Sequence, residues 1–171
     1  MPNLSFQDYH ETYEFLPDLA CEYREQATDI AFEVAEDEEA RNLVYRELGF
    51  SSEDEIVGPA IKKLSPAILT SETFMDVIVE GGDLDRFVWL RGLDQKLQEL
   101  GFGGLEDDLA GPEMIPEEDF EDWVRDYAEQ TQNISLDSWP ANHIDWAAAA
   151  AEEKDYFRLF EYDGREYRMR G

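Results

Sequence analysis

The chain has a single cysteine, Cys21, among its 171 residues. An internal disulfide is therefore excluded, and a reducing compartment is the default expectation. No apolar run approaches the ~20 residues that cross a bilayer as a helix. The opening stretch MPNLSFQDYHETYEF has neither a basic segment nor an apolar one, so no secretory leader is predicted there. The two histidines, His10 and His143, are far apart. There is no glycine-rich phosphate loop, no G-x-S-x-G and no zinc-ligand spacing. Acid clusters such as Glu106-Asp107-Asp108 and Glu117-Glu118-Asp119 lack the ligand pattern and central glycine of an EF-hand. His143-Ile144-Asp145 has no second histidine or cysteine beside it, and reads as a helix start rather than a metal pair. Cys21 falls beside the apolar stripe of a helix and reads as a buried apolar residue. The expectation is no catalytic residue, no metal, no cofactor and no enzyme activity.

Basic residues are scarce too. There are 14 Lys+Arg against 42 Asp+Glu, a net charge of −28. Small domains need a net charge of only about 2–8 in magnitude for solubility, and self-repulsion of this size opposes a compact state. Yet the chain holds ten Phe, eight Tyr and four Trp, unlike a disordered acidic tail. It reads as a folded protein with a use for its charge. Nucleic acid and anionic lipid are repelled by such a surface, which points to basic protein surfaces as partners. Adaptation to high salt is a rival explanation, and ten Arg against four Lys are compatible with it.

The charge is grouped. Residues 1–55 hold 16 acids and 3 bases, and residues 101–139 hold 12 and 1. Residues 56–100 and 140–171 hold 7 acids and 5 bases each. In the first block the acids fall at Glu11, Glu14, Asp18, Glu22, Glu25, Asp29, Glu33 and Glu36. The mean step is about 3.6, the α-helical repeat. Leu19, Tyr23, Ala27, Ile30 and Val34 follow the same period on another face. The spacing predicts an amphipathic helix over about 16–35, with Glu11 and Glu14 on a preceding turn. Like charges three or four apart weaken a helix by a few tenths of a kcal/mol per pair. A carboxylate row of this kind is a coarse copy of the phosphate row of a DNA strand. The residues assigned to phosphate mimicry are Asp18, Glu22, Glu25, Asp29, Glu33 and Glu36.

Downstream, 37–48 reads as a second helix stopped by Gly49. Ser52 and Glu55 read as a capping box opening a segment that Pro59 and Pro66 interrupt. Residues 72–80 favour helix over strand. Gly81-Gly82 breaks the chain, and Asp83 caps a helix that turns Leu84, Phe87, Val88, Leu90 (or Arg91), Leu93 (or Asp94) and Leu97 inward and ends at Gly101. Residues 101–116 read as a linker or loop. A helix over 117–131 turns Phe120, Trp123, Val124 and Tyr127 inward. Its outer acids, Glu117, Glu118, Glu121, Asp122, Asp126 and Glu129, join the phosphate-mimicking set. An alanine-rich helix covers 144–153. Asp163-Gly164 between aromatic alternating runs predicts a β-hairpin. The expected organisation is an acidic helical module over 1–70, a helical middle module over 71–104, and a C-terminal module over 105–171.

The C-terminal third carries a resemblance. Phe120-Glu121-Asp122-Trp123-Val124-Arg125-Asp126-Tyr127-Ala128-Glu129 precedes Asn142-His143-Ile144-Asp145-Trp146. The alanine-rich helix, Asp155-Tyr156-Phe157 and Tyr162-Asp163-Gly164-Arg165-Glu166-Tyr167-Arg168 follow in order. This succession over about 50 residues resembles the end of the ArdA-type antirestriction proteins of phages and mobile elements. Ala150-Ala151-Glu152-Glu153 replaces the usual Arg-Asp continuation, and residues 1–70 have no counterpart. The resemblance implies an elongated homodimer in the bacterial cytoplasm. It implies a mimic of double-stranded DNA that fills the DNA groove of type I restriction-modification enzymes. At one charge per ~1.7 Å of duplex, 28 charges correspond to at most about 48 Å of DNA. Two further readings stand beside it: a mimic directed at a CRISPR effector or a nucleoid protein, and a salt-adapted acidic protein with no mimic role. The fold class expected is α+β, predominantly helical and elongated, with a small C-terminal β-hairpin.

Overall fold

The computed structural model describes residues 14–78, 84–107 and 113–170. His10, Glu11, the Gly81-Gly82-Asp83 break and residues 108–112 lie outside them. The fold is α+β and predominantly helical, as the periodicities predict. The described residues form two compact units, one of residues 17–107 and one of 14–16 with 113–170. The stretch 17–107 carries 22 acids against 8 bases and the rest of the chain 20 against 6, so each has a net charge of −14.

The first unit contains six helices among its described residues. Helix α1 (Leu16–Glu36) enters it from the other unit. Helix α2 (Glu38–Leu48) starts at Asp37, whose side chain accepts from the Ala40 N–H at 2.9 Å. It stops at Gly49, whose φ of 70° lies in the left-handed region. Three short helices follow, α3 (Gly58–Ile61), α4 (Pro66–Leu69) and α5 (Glu72–Val77). Pro59 and Pro66 occupy first-turn positions and open helices rather than interrupting one. Proline has no N–H to lose there, and its fixed φ suits the first turn. The capping box expected at Ser52 does not form: Asp54 instead accepts from the Ser51 N–H at 2.6 Å, which closes a loop. Helix α6 (Leu84–Glu99) buries Phe87, Leu90, Leu93 and Leu97, while Leu84 and Val88 are only half-buried.

The core of this unit joins one face of α1 to these helices. Tyr23 stacks on Phe87 with centroids 5.5 Å apart. Helix α2 meets α5, and α4 meets α6. These contacts carry the core across residue 70, so the expected boundary between 70 and 71 does not separate compact units. Burial of Phe74, Ile61, Leu64 and Leu69 outweighs the local Pro/Gly signals, which here mark turns within a core.

The expected linker over 101–116 is also structured where it is described. Gly101 turns the chain at φ 81°, and Phe102, Gly104 and Leu105 are buried. The Asp94 carboxylate accepts from the Leu105 N–H at 2.7 Å, and Asp107 accepts from the Gly104 N–H at 2.6 Å. Residues Glu113–Pro116 form strand β2. Four residues are too few to show the period of a strand, which is why composition alone suggested a loop.

The second unit is built on an antiparallel sheet. Strand β1 (Glu14–Phe15) pairs with β2, β2 with β4 (Arg165–Arg170), and β4 with β3 (Phe157–Tyr162). Glu14 therefore sits in a strand and not on a turn. Asp163 and Gly164 both have positive φ, 50° and 75°, as a type I′ hairpin turn needs. The register pairs Tyr162 with Arg165 and Phe160 with Tyr167. A 3₁₀ turn over Glu117–Asp119 leads into helix α7 (Phe120–Thr131). Helix α8 (Trp146–Glu153) begins at Asp145, which accepts from the Ala148 N–H at 3.0 Å. Ile115, Phe120, Trp123, Val124, Ala150 and Phe157 form its core, with Tyr127, Trp146 and Ala149 packed against them. No helix among the described residues is long and apolar enough to cross a membrane.

Candidate functional site

Helix α1 divides sharply between two faces. Leu19, Tyr23, Ala27, Ile30 and Val34 are buried. At about 100° per residue, Asp18, Glu25, Asp29 and Glu36 cluster on the opposite face, and all four are exposed. Glu22 and Glu33 stand on the shoulder of this face and are half-buried. Glu22 accepts two hydrogen bonds from Arg86, at 2.8 Å from Nε and 3.0 Å from Nη2. The structure thus sorts the expected row of six into four solvent-facing carboxylates and two at the edge of the core. Asp18 and Glu36 lie about 27 Å apart along the axis at 1.5 Å per residue. A DNA strand sets about eight phosphates over that length.

Glu106 accepts from Arg24 Nε at 3.0 Å and from Lys62 Nζ. Burial raises its pKa, but the two cations outweigh that and hold it below the usual carboxylate range. The acid cluster at 106–107 therefore takes its cations and N–H donors from its own unit.

The acids of 117–129 divide in the same way. Glu117 accepts from Lys154 Nζ at 2.6 Å and from Arg168 Nε. Burial pushes its pKa up, and the hydrogen bonds from Arg168 and Lys154 more than reverse that. Glu118 accepts from Arg165 Nε at 2.7 Å. Its pKa is lowered by its own backbone N–H first and by Arg165 next. Asp122 pairs with Arg125 at 3.4 Å on the same helix. Glu121 and Asp122 are exposed, while Asp126 and Glu129 are half-buried on α7. Glu117 and Glu118 thus fasten the hairpin to the turn before α7, and the outer face of α7 presents Glu121 and Asp122.

Cys21 is exposed, contrary to the burial expected for it. It lies on the polar side of α1, with its Sγ 3.6 Å from Glu25 Oε1. The Glu25 charge, foremost, raises the thiol pKa and disfavours the reactive thiolate. His143 is exposed in the 3₁₀ turn Ala141–His143 and packs edge-on to Trp139, centroids 4.9 Å apart. No group of three or more His, Cys, Asp or Glu among the described residues is arranged to hold a metal ion.

One residue of the α1 face escaped the sequence reading. Phe32 is 66% exposed and lies three residues after Asp29 and four before Glu36. The signal was available, because the helical period that placed the carboxylate stripe also places Phe32 on it. Comparison with protein-family models, curated proteins and solved structures found no match to this chain.

Proposed function

We propose that this chain is a mimic of double-stranded DNA. It inhibits a DNA-binding defence enzyme, foremost a type I restriction-modification system, by occupying its DNA groove. The observation that carries the reading is the outer face of α1. There Asp18, Glu25, Asp29 and Glu36 project into solvent along one helix whose opposite face is locked in a core. A groove shaped to bind phosphates offers Lys and Arg, which the four carboxylates meet at about half the density of a phosphate row, and salt screens these exposed pairs. The inhibition is stoichiometric, without turnover, and falls steeply with salt. The resemblance of residues 120–168 to ArdA-type proteins supports the same target class. It also supports a homodimer acting in the cytoplasm of a bacterial host.

The test is displacement of a labelled DNA duplex from a type I restriction-modification complex, followed by anisotropy. The chain should displace the duplex, and the variant Asp18→Lys, Glu25→Lys, Asp29→Lys, Glu36→Lys should not. These four leave the core and the Arg86–Glu22 pair alone, so far-UV circular dichroism should be unchanged. Full displacement by the variant would sink the role assigned to this face. The same assay with an RNA-guided nuclease and a nucleoid protein separates the other targets of mimicry. A salt-adapted protein would displace none and would lose its helical signal in low salt.

A further inference from the structure

The protein holds its own cations in a recurring way. Among the described residues, the basic side chains Lys62, Arg86, Arg125, Lys154, Arg165 and Arg168 each pair with a carboxylate and also lie over an aromatic ring. The clearest case is Arg86. Its guanidinium makes two bonds to Glu22 and sits 4.6 Å from the centroid of Trp89. The arrangement suits arginine in particular: the planar fork meets a carboxylate edge-on while its face stacks on a ring.

The outer face of α1 carries the same two components without the cation. Phe32 is flanked by Asp29 at i−3 and Glu36 at i+4, positions whose Cβ atoms lie about 5–6 Å away on a helix. Among the described residues, no cation is paired with Asp29 or Glu36, and no ring or cation lies on Phe32. This segment is also depleted in bases, since Arg24 is the only one among residues 1–40. An exposed aromatic ring in the middle of a carboxylate row serves neither solubility nor the core. Phenylalanine is one of the aromatic side chains that carry much of the energy of interfaces.

We propose that Phe32, Asp29 and Glu36 form a docking element for an arginine side chain of a basic partner protein. The guanidinium stacks on Phe32 while one of the flanking carboxylates accepts its hydrogen bonds, as Trp89 and Glu22 do for Arg86. This deepens the mimicry reading and rests on it for the identity of the partner. The charge of the row supplies the salt-dependent part of binding. The ring supplies a preference for arginine over lysine that screening leaves largely in place.

The experiment uses the full chain with nona-arginine and nona-lysine peptides as probes, titrated by calorimetry from low to moderate salt. Nona-arginine should bind more tightly, by up to about fivefold, the full value of one exposed cation–ring contact that the compact, strongly hydrated lysine ammonium makes less well. Phe32→Ala and Phe32→Leu should abolish that preference, Phe32→Tyr should keep it, and none should alter the slope of affinity with salt. Asp29→Asn with Glu36→Gln should instead weaken both peptides and flatten the slope. Equal affinities for the two peptides, an unaltered preference in Phe32→Ala, or a wild-type preference in Phe32→Leu would each overturn the inference. Phe32 is on the surface, so an unchanged circular dichroism spectrum is expected for all its variants. If the preference depends on Phe32 but no DNA is displaced from a restriction enzyme, the mimicry reading fails and the arginine site stands. If displacement occurs without the preference, the reverse holds.

Discussion

Glu117→Gln removes the charge on which Lys154 and Arg168 converge. The side chains of Glu117 and Arg168 are 25% and 14% exposed, so solvent screens them only in part. Hydrogen bonds to charged groups contribute about 1.5–3 kcal/mol each, and glutamine retains weaker neutral bonds. The expected loss is about 2 kcal/mol for the unit that holds the sheet. Trp123, Trp139 and Trp146 belong to that unit and Trp89 to the other. Urea unfolding followed by tryptophan fluorescence in a Trp89→Phe background therefore reports on the right part of the molecule. The pH dependence gives a second reading. The folded pKa of Glu117 lies below its unfolded value, so the pairing contributes fully above the unfolded value of about 4.3. It fades as pH falls through the folded value. Acid also discharges the other carboxylates and relieves the −28 repulsion, which would mask the effect in the wild type alone. The difference between wild type and Glu117→Gln cancels that background. It should be full at pH 7, narrow once pH drops below the unfolded value, and close as pH falls through the folded one. A difference that is absent at pH 7, or that persists undiminished at pH 3, would refute the reasoning.

Other outcomes follow from the packing and the local charge. Phe74→Ala empties a fully buried site and should cost about 3–5 kcal/mol in chemical denaturation of the 17–107 unit. Gly164→Ala places a side chain at φ 75° in the hairpin turn and should cost about 1–2 kcal/mol, read as a lower urea midpoint for the sheet unit. Gly58→Ala brings a Cβ within 3.3 Å of the Thr28 backbone N and Oγ1, and should destabilise the 17–107 unit by about 1 kcal/mol in the same assay. Cys21 should react slowly with a disulfide reagent at pH 7 although it is exposed. Glu25→Gln should speed that reaction by removing the charge that suppresses the thiolate.

Much of the fold was legible where a period or a stop signal had length to act. The 3.6-residue repeat located α1 to within a residue, and Asp37 and Gly49 bounded α2. Asp163-Gly164 announced the hairpin because a type I′ turn needs positive φ at both positions. The same repeat placed the carboxylates of α1 on one face. Short elements were not legible. Strand β2 has four residues, and α3, α4 and α5 have four to six. Each is stabilised by what it packs against and not by its own propensity. Cys21 was misplaced because a residue at the margin of an apolar stripe can fall on either side of it.

From the sequence alone came the amount of charge, its grouping into blocks and its helical order in the first block, because these depend only on composition and the geometry of one helix. Which carboxylates remain available to a partner was decided by tertiary structure. Glu22, Glu106, Glu117 and Glu118 met cations far away in the chain, while Asp18, Glu25, Asp29 and Glu36 stayed in solvent. Ion pairing is set by distance in space, which a one-dimensional pattern does not contain. The total of −28 is thereby divided between charge that holds the fold together and charge that faces outward.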